Sequence, residues 1–97
     1  MSAITKFAEG QPCTIRLPGI CNYDSATSVW HHINSVRWGS GRGLKSPDVC
    51  GVIGCSDCGN VLDRRVKTDL DRDFVMKHVM EGHLESIAML VKAGIVS

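Results

Sequence analysis

Four cysteines arranged as two pairs constrain the fold of this chain more than any other feature of its sequence. Cys55 and Cys58 are separated by two residues, a spacing that lets two thiolates reach one tetrahedral ion. Cys13 and Cys21 enclose seven residues, and Pro18-Gly19 between them predicts a turn that brings the two sulfur atoms together. The two pairs therefore predict a closed, four-cysteine structural zinc site that joins an N-terminal hairpin to the following helix.

Two other uses of the cysteines stay open at this level. A redox-active Cys-x-x-Cys pair requires a thioredoxin-like βαβ arrangement, which the sequence pattern does not show. Disulfides are rare in the cytoplasm, where we expect this protein because residues 1–9 lack the apolar core and cleavage site of a signal peptide. The fifth cysteine, Cys50, falls in an apolar segment, and we expect it in the core as a small hydrophobic residue.

Length and charge limit the range of functions. A chain of 97 residues is the length of a single domain, here residues 1–97, and its thin core would gain stability from a zinc site. The formal net charge is +1, which is not the bulk basic excess typical of nucleic-acid binders but leaves room for a local basic face. No apolar run approaches the roughly 18 residues of a membrane span.

The hydrophobic pattern predicts a small α+β domain with two short strands or hairpins and two helices. Strand character is found at 27–33 and 48–53, and 13–21 is predicted as a short strand that runs into a turn. A first helix is predicted from Asn60. A second, long helix is predicted from a cap at Asp69 or Asp71 to a C-terminal cap at Gly94.

Basic residues are the candidates for contact with a phosphate backbone. Residues 39–47 predict an irregular, Gly-rich loop that lacks the pattern of a phosphate-binding P-loop. The candidates lie in or near this loop and in the first predicted helix, namely Arg37, Arg42, Lys45, Arg64 and Arg65. For the last two, a solvated helix face is an equally good explanation.

The four histidines form two groups. His31 and His32 close a predicted strand, where neighbouring residues point to opposite faces, so from the residues alone we expect one at the surface and one against the core. His78 and His83 lie five residues apart on the long helix and not on one face. We expect structural roles for these two.

The order of the motifs along the chain resembles a known class of enzyme. A strand ending in histidine, a loop, a strand entering Cys-x-x-Cys and a helix leaving it with a carboxylate are the arrangement of ββα-metal, or HNH-type (His-Me finger), nucleases. The chain is similar to the YbcO-like family of small phage- and prophage-encoded proteins regarded as nucleases. The matching motifs cover nearly the whole chain: Cys13 to Cys21, Thr27-Ser28-Val29, His32-Ile33, Pro47-Asp48, Cys55 to Cys58, Asp63-Arg64-Arg65 and Glu81-Gly82.

This resemblance implies a zinc-stapled ββα-metal (HNH-like) domain with a long C-terminal helix, and it implies roles for three residues. His32 matches the general base that activates water, a task suited to the ordinary pKa of histidine. His31 and Asp63 match the ligands of a catalytic divalent ion, Mg²⁺ or Mn²⁺. The carboxylate suits Mg²⁺, and mixed ligation favours Mn²⁺, Ni²⁺ or a second Zn²⁺. Gly59 departs from the pattern, because HNH proteins often have histidine there.

Two functions fit the sequence. The first is a metal-dependent endonuclease that hydrolyses DNA phosphodiester bonds in phage recombination or DNA processing in the bacterial host cell. The second, favoured by the near-neutral charge and by Gly59, is a non-catalytic zinc module that binds DNA or a phage replication or recombination protein. The nuclease requires His32 and Asp63 to converge on one cleft away from the sulfur atoms. The apolar face of the last helix, which includes Met76 and Met80, further predicts a homodimer through that helix.

Overall fold

In a computed structural model of the chain, which describes residues 3–33 and 49–96, helices pack around a two-stranded antiparallel sheet. The elements in chain order are α1 (Ala3–Ala8), a 3-10 turn (Ser25–Thr27), β1 (Val29–His32), β2 (Gly51–Gly54), α2 (Ser56–Leu62) and α3 (Arg72–Lys92). The predicted small α+β domain with a long C-terminal helix is confirmed. None of the helices in the described ranges has the length and apolar character needed to cross a bilayer.

The sheet separates two hydrophobic cores because its side chains alternate between faces. β1 and β2 pair with Trp30 opposite Ile53 and His32 opposite Gly51. Trp30 and Ile53 face a core shared with α1 and the C-terminal half of α3, where Leu90 is fully buried. Val52 belongs to the second core, whose other members include Ile15, Leu17, Ile33, Val61, Leu62, Val75, Val79 and three of the cysteines.

Helix α3 lies directly on β2, and Gly82 makes this close approach feasible. A Cβ atom at Gly82 would lie 2.8 Å from Thr14 Oγ1 and 2.9 Å from Val52 Cγ2. The Thr14 hydroxyl donates to the Ile53 carbonyl at 2.6 Å, so that the loop, the strand and the helix meet at one buried point. The helix ends as predicted, because Gly94 has a positive φ of 77° and its N–H donates to Val91.

Three predicted elements differ from those in the structure. Helix α2 begins at Ser56 and not at Asn60, because the Cys55 sulfur caps it by accepting the Cys58 N–H at 3.4 Å. The segment 13–21 is not a strand; Arg16 has a φ of 53°, which interrupts the extended backbone. Cys50 lies in a bend before β2 and is half-buried, since the strand starts one residue later.

The apolar face of α3 is narrower than its sequence predicts. Met76 packs against the second core and Met89 against the first, which leaves Met80 exposed among the three methionines of this helix. Leu84 and Val91 are also exposed. The predicted dimer face, which included Met76 and Met80, is therefore reduced to Met80, with Leu84 and Val91 beside it on the exposed side of α3.

Candidate metal centre and catalytic cleft

The four predicted zinc ligands form one cluster. The sulfur atoms of Cys13, Cys21, Cys55 and Cys58 all lie within 4.8 Å of one another. Cys21 and Cys55 are 3.8 Å apart between sulfurs, which equals the edge of a tetrahedron with Zn–S bonds of about 2.3 Å. A disulfide would require about 2.05 Å. The donor set and its spacing therefore fit a closed structural zinc site, and the described cysteines are free thiols.

Local backbone features bring the two pairs to this point. Gly19 has a φ of 73° and the Ile20 N–H donates to the Leu17 carbonyl at 3.1 Å, which is the hydrogen bond of a type II turn. This turn, predicted from Pro18-Gly19, carries Cys21 back towards the helix. Cys55 is the N-cap of α2, so the helix that it begins also carries Cys58 into the cluster.

Hydrogen bonding and burial shift the pKa values of three cysteines of the cluster in different directions. A hydrogen bond from the Cys58 thiol lowers the pKa of Cys13 to about 4. The same hydrogen bond, together with burial, raises the pKa of Cys58, and burial raises the pKa of Cys21 to about 11. The metal-free cluster thus favours a thiolate on Cys13 beside two protonated partners. A divalent cation would displace those protons and hold the sulfurs as thiolates.

A separate cleft of about 210 Å³ lies where the ends of β1 and α2 meet the start of α3. His32 is the last residue of β1 and Asp63 is the C-cap of α2, and both line this cleft. The other lining residues are Ile33, Leu62, Arg64, Arg72 and Met76. Within the described ranges, no cysteine lines it. The structure therefore brings the predicted base and the predicted carboxylate ligand to one place, away from the sulfur cluster.

His31 is directed elsewhere. Its Nε2 lies 3.0 Å from the Gly54 carbonyl and must donate to it, because a carbonyl oxygen only accepts. A Cβ atom at Gly59 would overlap the His31 ring, so the ring occupies the space next to this glycine. Among the described residues that line the cleft, His31 is absent. The predicted ligand pair of His31 and Asp63 is therefore not assembled in this structure.

Arg72 is a cleft residue that sequence reasoning missed. Its Nη1 and Nη2 donate to the Val61 and Leu62 carbonyls at 3.2 and 3.1 Å, which holds the guanidinium at the C-terminal end of α2. Burial and the nearby charge of Arg64 lower the pKa of Arg72, whereas Asp63 acts in the opposite direction. The only sequence signal was an arginine in the first turn of a helix, which usually indicates a solvated residue.

Arg64 has an unusual backbone conformation at the rim of the cleft. Its φ is 59°, and its N–H donates to the Val61 carbonyl at 3.1 Å while the Arg65 N–H donates to Asn60 at 2.8 Å. These two bonds form the helix-ending motif in which glycine normally occupies the left-handed position. An arginine there costs about 1 kcal/mol relative to glycine.

The remaining candidates for phosphate contact, and the two histidines of α3, do not line the cleft or lie outside the described residues. Arg65 is exposed beside Arg64. The other three, Arg37, Arg42 and Lys45, lie outside the described residues. His78 and His83 donate from Nδ1 to the Ile15 and Gly51 carbonyls at 3.0 and 2.6 Å, as expected for structural residues.

Comparison with known proteins places the chain in a family. The family described as "Putative nuclease YbcO" matches residues 2–95. This chain belongs to the YbcO family. YbcO relatives named "Putative nuclease YbcO" from Escherichia coli (strain K12) and "Putative nuclease ybcO" from Enterobacteria phage 82 are each 33% identical over 96 residues, which is 99% of this chain and 98% of theirs.

A solved structure is similar to this chain in fold and in sequence. A protein described as "Structure of a putative bacteriophage protein from Escherichia coli str. K-12 substr. MG1655" superposes with a TM-score of 0.77 and 32% identity. The superposition covers 94% of this chain and 99% of that chain. The predicted resemblance to the YbcO family is confirmed.

Proposed function

We propose that this chain is a metal-dependent endonuclease of the HNH type that hydrolyses DNA phosphodiester bonds in phage recombination or DNA processing, in the cytoplasm of the bacterial host. The observation that carries the proposal is the convergence of His32 and Asp63 on one cleft, separate from the cysteine cluster. The names of the YbcO relatives support a nuclease at the level of the family.

The cysteine cluster holds the domain together in this proposal. Zinc bound by the four thiolates joins the N-terminal loop to the first turn of α2. The far end of α2 carries Asp63, so the zinc site positions the helix that delivers this carboxylate to the cleft. Structural zinc in small domains contributes about 10–16 kcal/mol of binding free energy that is also folding free energy.

In the cleft, His32 acts as the general base and accepts a proton from the attacking water. Asp63 supplies the carboxylate that holds a divalent cation, which when bound stabilises negative charge on the phosphate. Among the described lining residues Asp63 is the only carboxylate, so it is the residue that would hold such an ion, and its oxygen donors suit Mg²⁺ or Mn²⁺. Arg64 and Arg72 place positive charge beside the scissile phosphate.

In this scheme His31 is a positioning residue and not a ligand. Its hydrogen bond to Gly54 and its contact with Gly59 connect the end of β1 to α2. These are the two elements whose ends carry His32 and Asp63. The geometry of the cleft therefore depends on a residue that does not line it.

The presence of a single carboxylate among the described lining residues of the cleft also favours a second function. A cleft with one described carboxylate and two arginines also suits a zinc module that binds a DNA backbone without cleaving it. The net charge of +1 agrees with a protein that contacts DNA over a small patch or that binds a phage replication or recombination protein.

Plasmid nicking separates the two functions. Zinc-loaded wild-type protein is incubated with supercoiled plasmid and Mg²⁺, Mn²⁺ or no added ion, beside His32→Ala and Asp63→Asn. The matched control is Asp73→Asn, an exposed aspartate on α3 outside the cleft lining. We expect ion-dependent nicking by the wild type and the control and its loss in both cleft variants. No nicking with either ion, or equal nicking by folded His32→Ala, would support the binding module.

A further inference from the structure

A second cavity adjoins the proposed catalytic cleft. It has a volume of about 340 Å³ and shares Arg64 and Arg72 with the cleft as a common wall. Its remaining lining residues are Val61, Val66, Lys67, Thr68, Leu70 and Val75. We call it the flanking groove.

The flanking groove concentrates positive charge that the whole chain does not have. Three cations line it, namely Arg64, Lys67 and Arg72, and no carboxylate is among its described lining residues. The chain as a whole has a net charge of only +1. The lining residues of the groove therefore favour an anion, although Asp63 acts on Arg72 from outside this lining.

Apolar side chains form the other part of the groove. Val61 and Val75 are buried and Leu70 is half-buried, so they form its floor, while Val66 is 48% exposed at its edge. A nucleotide combines a charged phosphate with a sugar and a base of largely apolar faces. Its phosphate suits the three cations, and its sugar and base would remove part of the valine and leucine surface from water.

Arg64 and Arg72 line both cavities and so connect the cleft to the flanking groove. Arg72 is held by the Val61 and Leu62 carbonyls, so its guanidinium is already positioned before any ligand binds. A strand with its scissile phosphate beside His32 and Asp63 would pass Arg64 and Arg72 to reach Lys67. Consecutive phosphates of one strand would then meet consecutive cations.

We propose that the flanking groove binds the nucleotide next to the scissile phosphate of a DNA strand, with its phosphate on Lys67 and its sugar and base over Val66 and Leu70. The proposal rests on the proposed nuclease function and adds a subsite to it. It assigns a role to Lys67 and Val66, which neither the motif pattern nor the family resemblance singled out.

The salt dependence of DNA binding tests the phosphate contact. Affinity of the full, zinc-loaded chain for fluorescently labelled duplex and single-stranded oligonucleotides is measured by anisotropy over a range of salt concentrations, without added Mg²⁺ or Mn²⁺. For Lys67→Gln we expect the slope of log affinity against log salt to decrease by about 0.9 on duplex and about 0.7 on single strands. Lys92→Gln, the same charge change at the exposed end of α3, should leave the slope unchanged.

The apolar contact has its own matched pair. Val66→Ala should weaken binding without a change of slope, whereas Val91→Ala, at a residue of nearly equal exposure on α3, should not. Both residues are at the surface, so neither substitution threatens folding.

The outcomes separate this proposal from the proposed function. Equal slopes for Lys67→Gln and Lys92→Gln overturn the subsite, and so does an absence of DNA binding by the wild type. His32-dependent nicking together with equal slopes overturns the subsite and leaves the nuclease standing. A slope change specific to Lys67 without nicking supports the phosphate contact at Lys67 but overturns the nuclease, and with it the placement of that contact next to a scissile phosphate.

Discussion

The imidazole ring of His31 lies against the backbone of Gly59, in the space that a Cβ atom at residue 59 would require. The same ring donates a hydrogen bond to Gly54, so one side chain joins the end of β1 to the end of β2 and to α2. A glycine that from sequence suggested a missing metal ligand is thus required by packing. This contact determines how the strand that carries His32 lies against the helix that ends at Asp63.

The contact predicts that Gly59→Ala is destabilising. The added methyl group must displace a half-buried ring from its hydrogen bond, and overpacking of this kind costs about 1–3 kcal/mol. Urea denaturation of the zinc-loaded protein measures the free energy of unfolding. The double variant His31→Ala/Gly59→Ala should show a smaller added cost for Gly59→Ala than the wild-type background does. Additive costs in the two backgrounds would contradict the contact.

The cysteine cluster predicts one zinc ion per chain, and its loss in Cys58→Ser. Cys50→Ser is the matched control. Cys50 lies outside the cluster, so this variant should keep its zinc. Metal content after dialysis, measured by mass spectrometry, checks both. Equal loss of zinc in Cys50→Ser would show that the four-sulfur site is wrongly assigned.

Zinc retention should depend on pH in one direction. The raised pKa values of Cys21 and Cys58 mean that these thiols must give up protons when the ion binds. Protons therefore compete with zinc, and the apparent affinity rises with pH and falls on acidification. A chromogenic zinc indicator added across a pH series should report release only on the acidic side. Release that increases towards alkaline pH would be inconsistent with thiolate ligands.

The left-handed backbone conformation of Arg64 predicts that its replacement by glycine changes stability and activity in opposite directions. Arg64→Gly relieves the backbone conformation and should raise the free energy of unfolding by up to about 1 kcal/mol. It also removes a guanidinium shared by the cleft and the flanking groove, so nicking and DNA affinity should fall. Arg65→Gly makes the same substitution at a residue without a positive φ, so it should not raise the free energy of unfolding. A fully active Arg64→Gly protein would show that the side chain is not needed in the cleft.

The exposed apolar residues of α3 predict the outcome of a test for dimerisation. Leu84 is 68% exposed and lies near Met80 on the helix surface. If two chains associate through this face, sedimentation equilibrium should show a concentration-dependent dimer for the wild type. Leu84→Lys should shift it to the monomer, because a charge would be buried at the interface. A wild-type monomer at every concentration would remove this prediction.

Local patterns determined much of the fold. The turn at Pro18-Gly19 and the spacing of Cys55 and Cys58 predicted the cysteine cluster, because each depends on only a few neighbouring residues. The long helix with its end at Gly94 followed from apolar periodicity and a glycine cap. The start of α2 was missed because cysteine is not among the usual capping residues, yet the sulfur of Cys55 caps this helix.

The motif order and the family resemblance pointed from the sequence to His32 and Asp63, and both line the described cleft. That His31 lies outside the cleft lining and Arg72 within it follows from the packing of the helices on the sheet. The physical reason is that the alternation of side chains along a strand predicts that neighbouring residues point to opposite faces. It does not predict which residues each side chain contacts. That depends on how α2 and α3 pack against the sheet, and this packing rests on contacts between residues far apart in the chain, such as His31 with Gly59 and Arg72 with Val61.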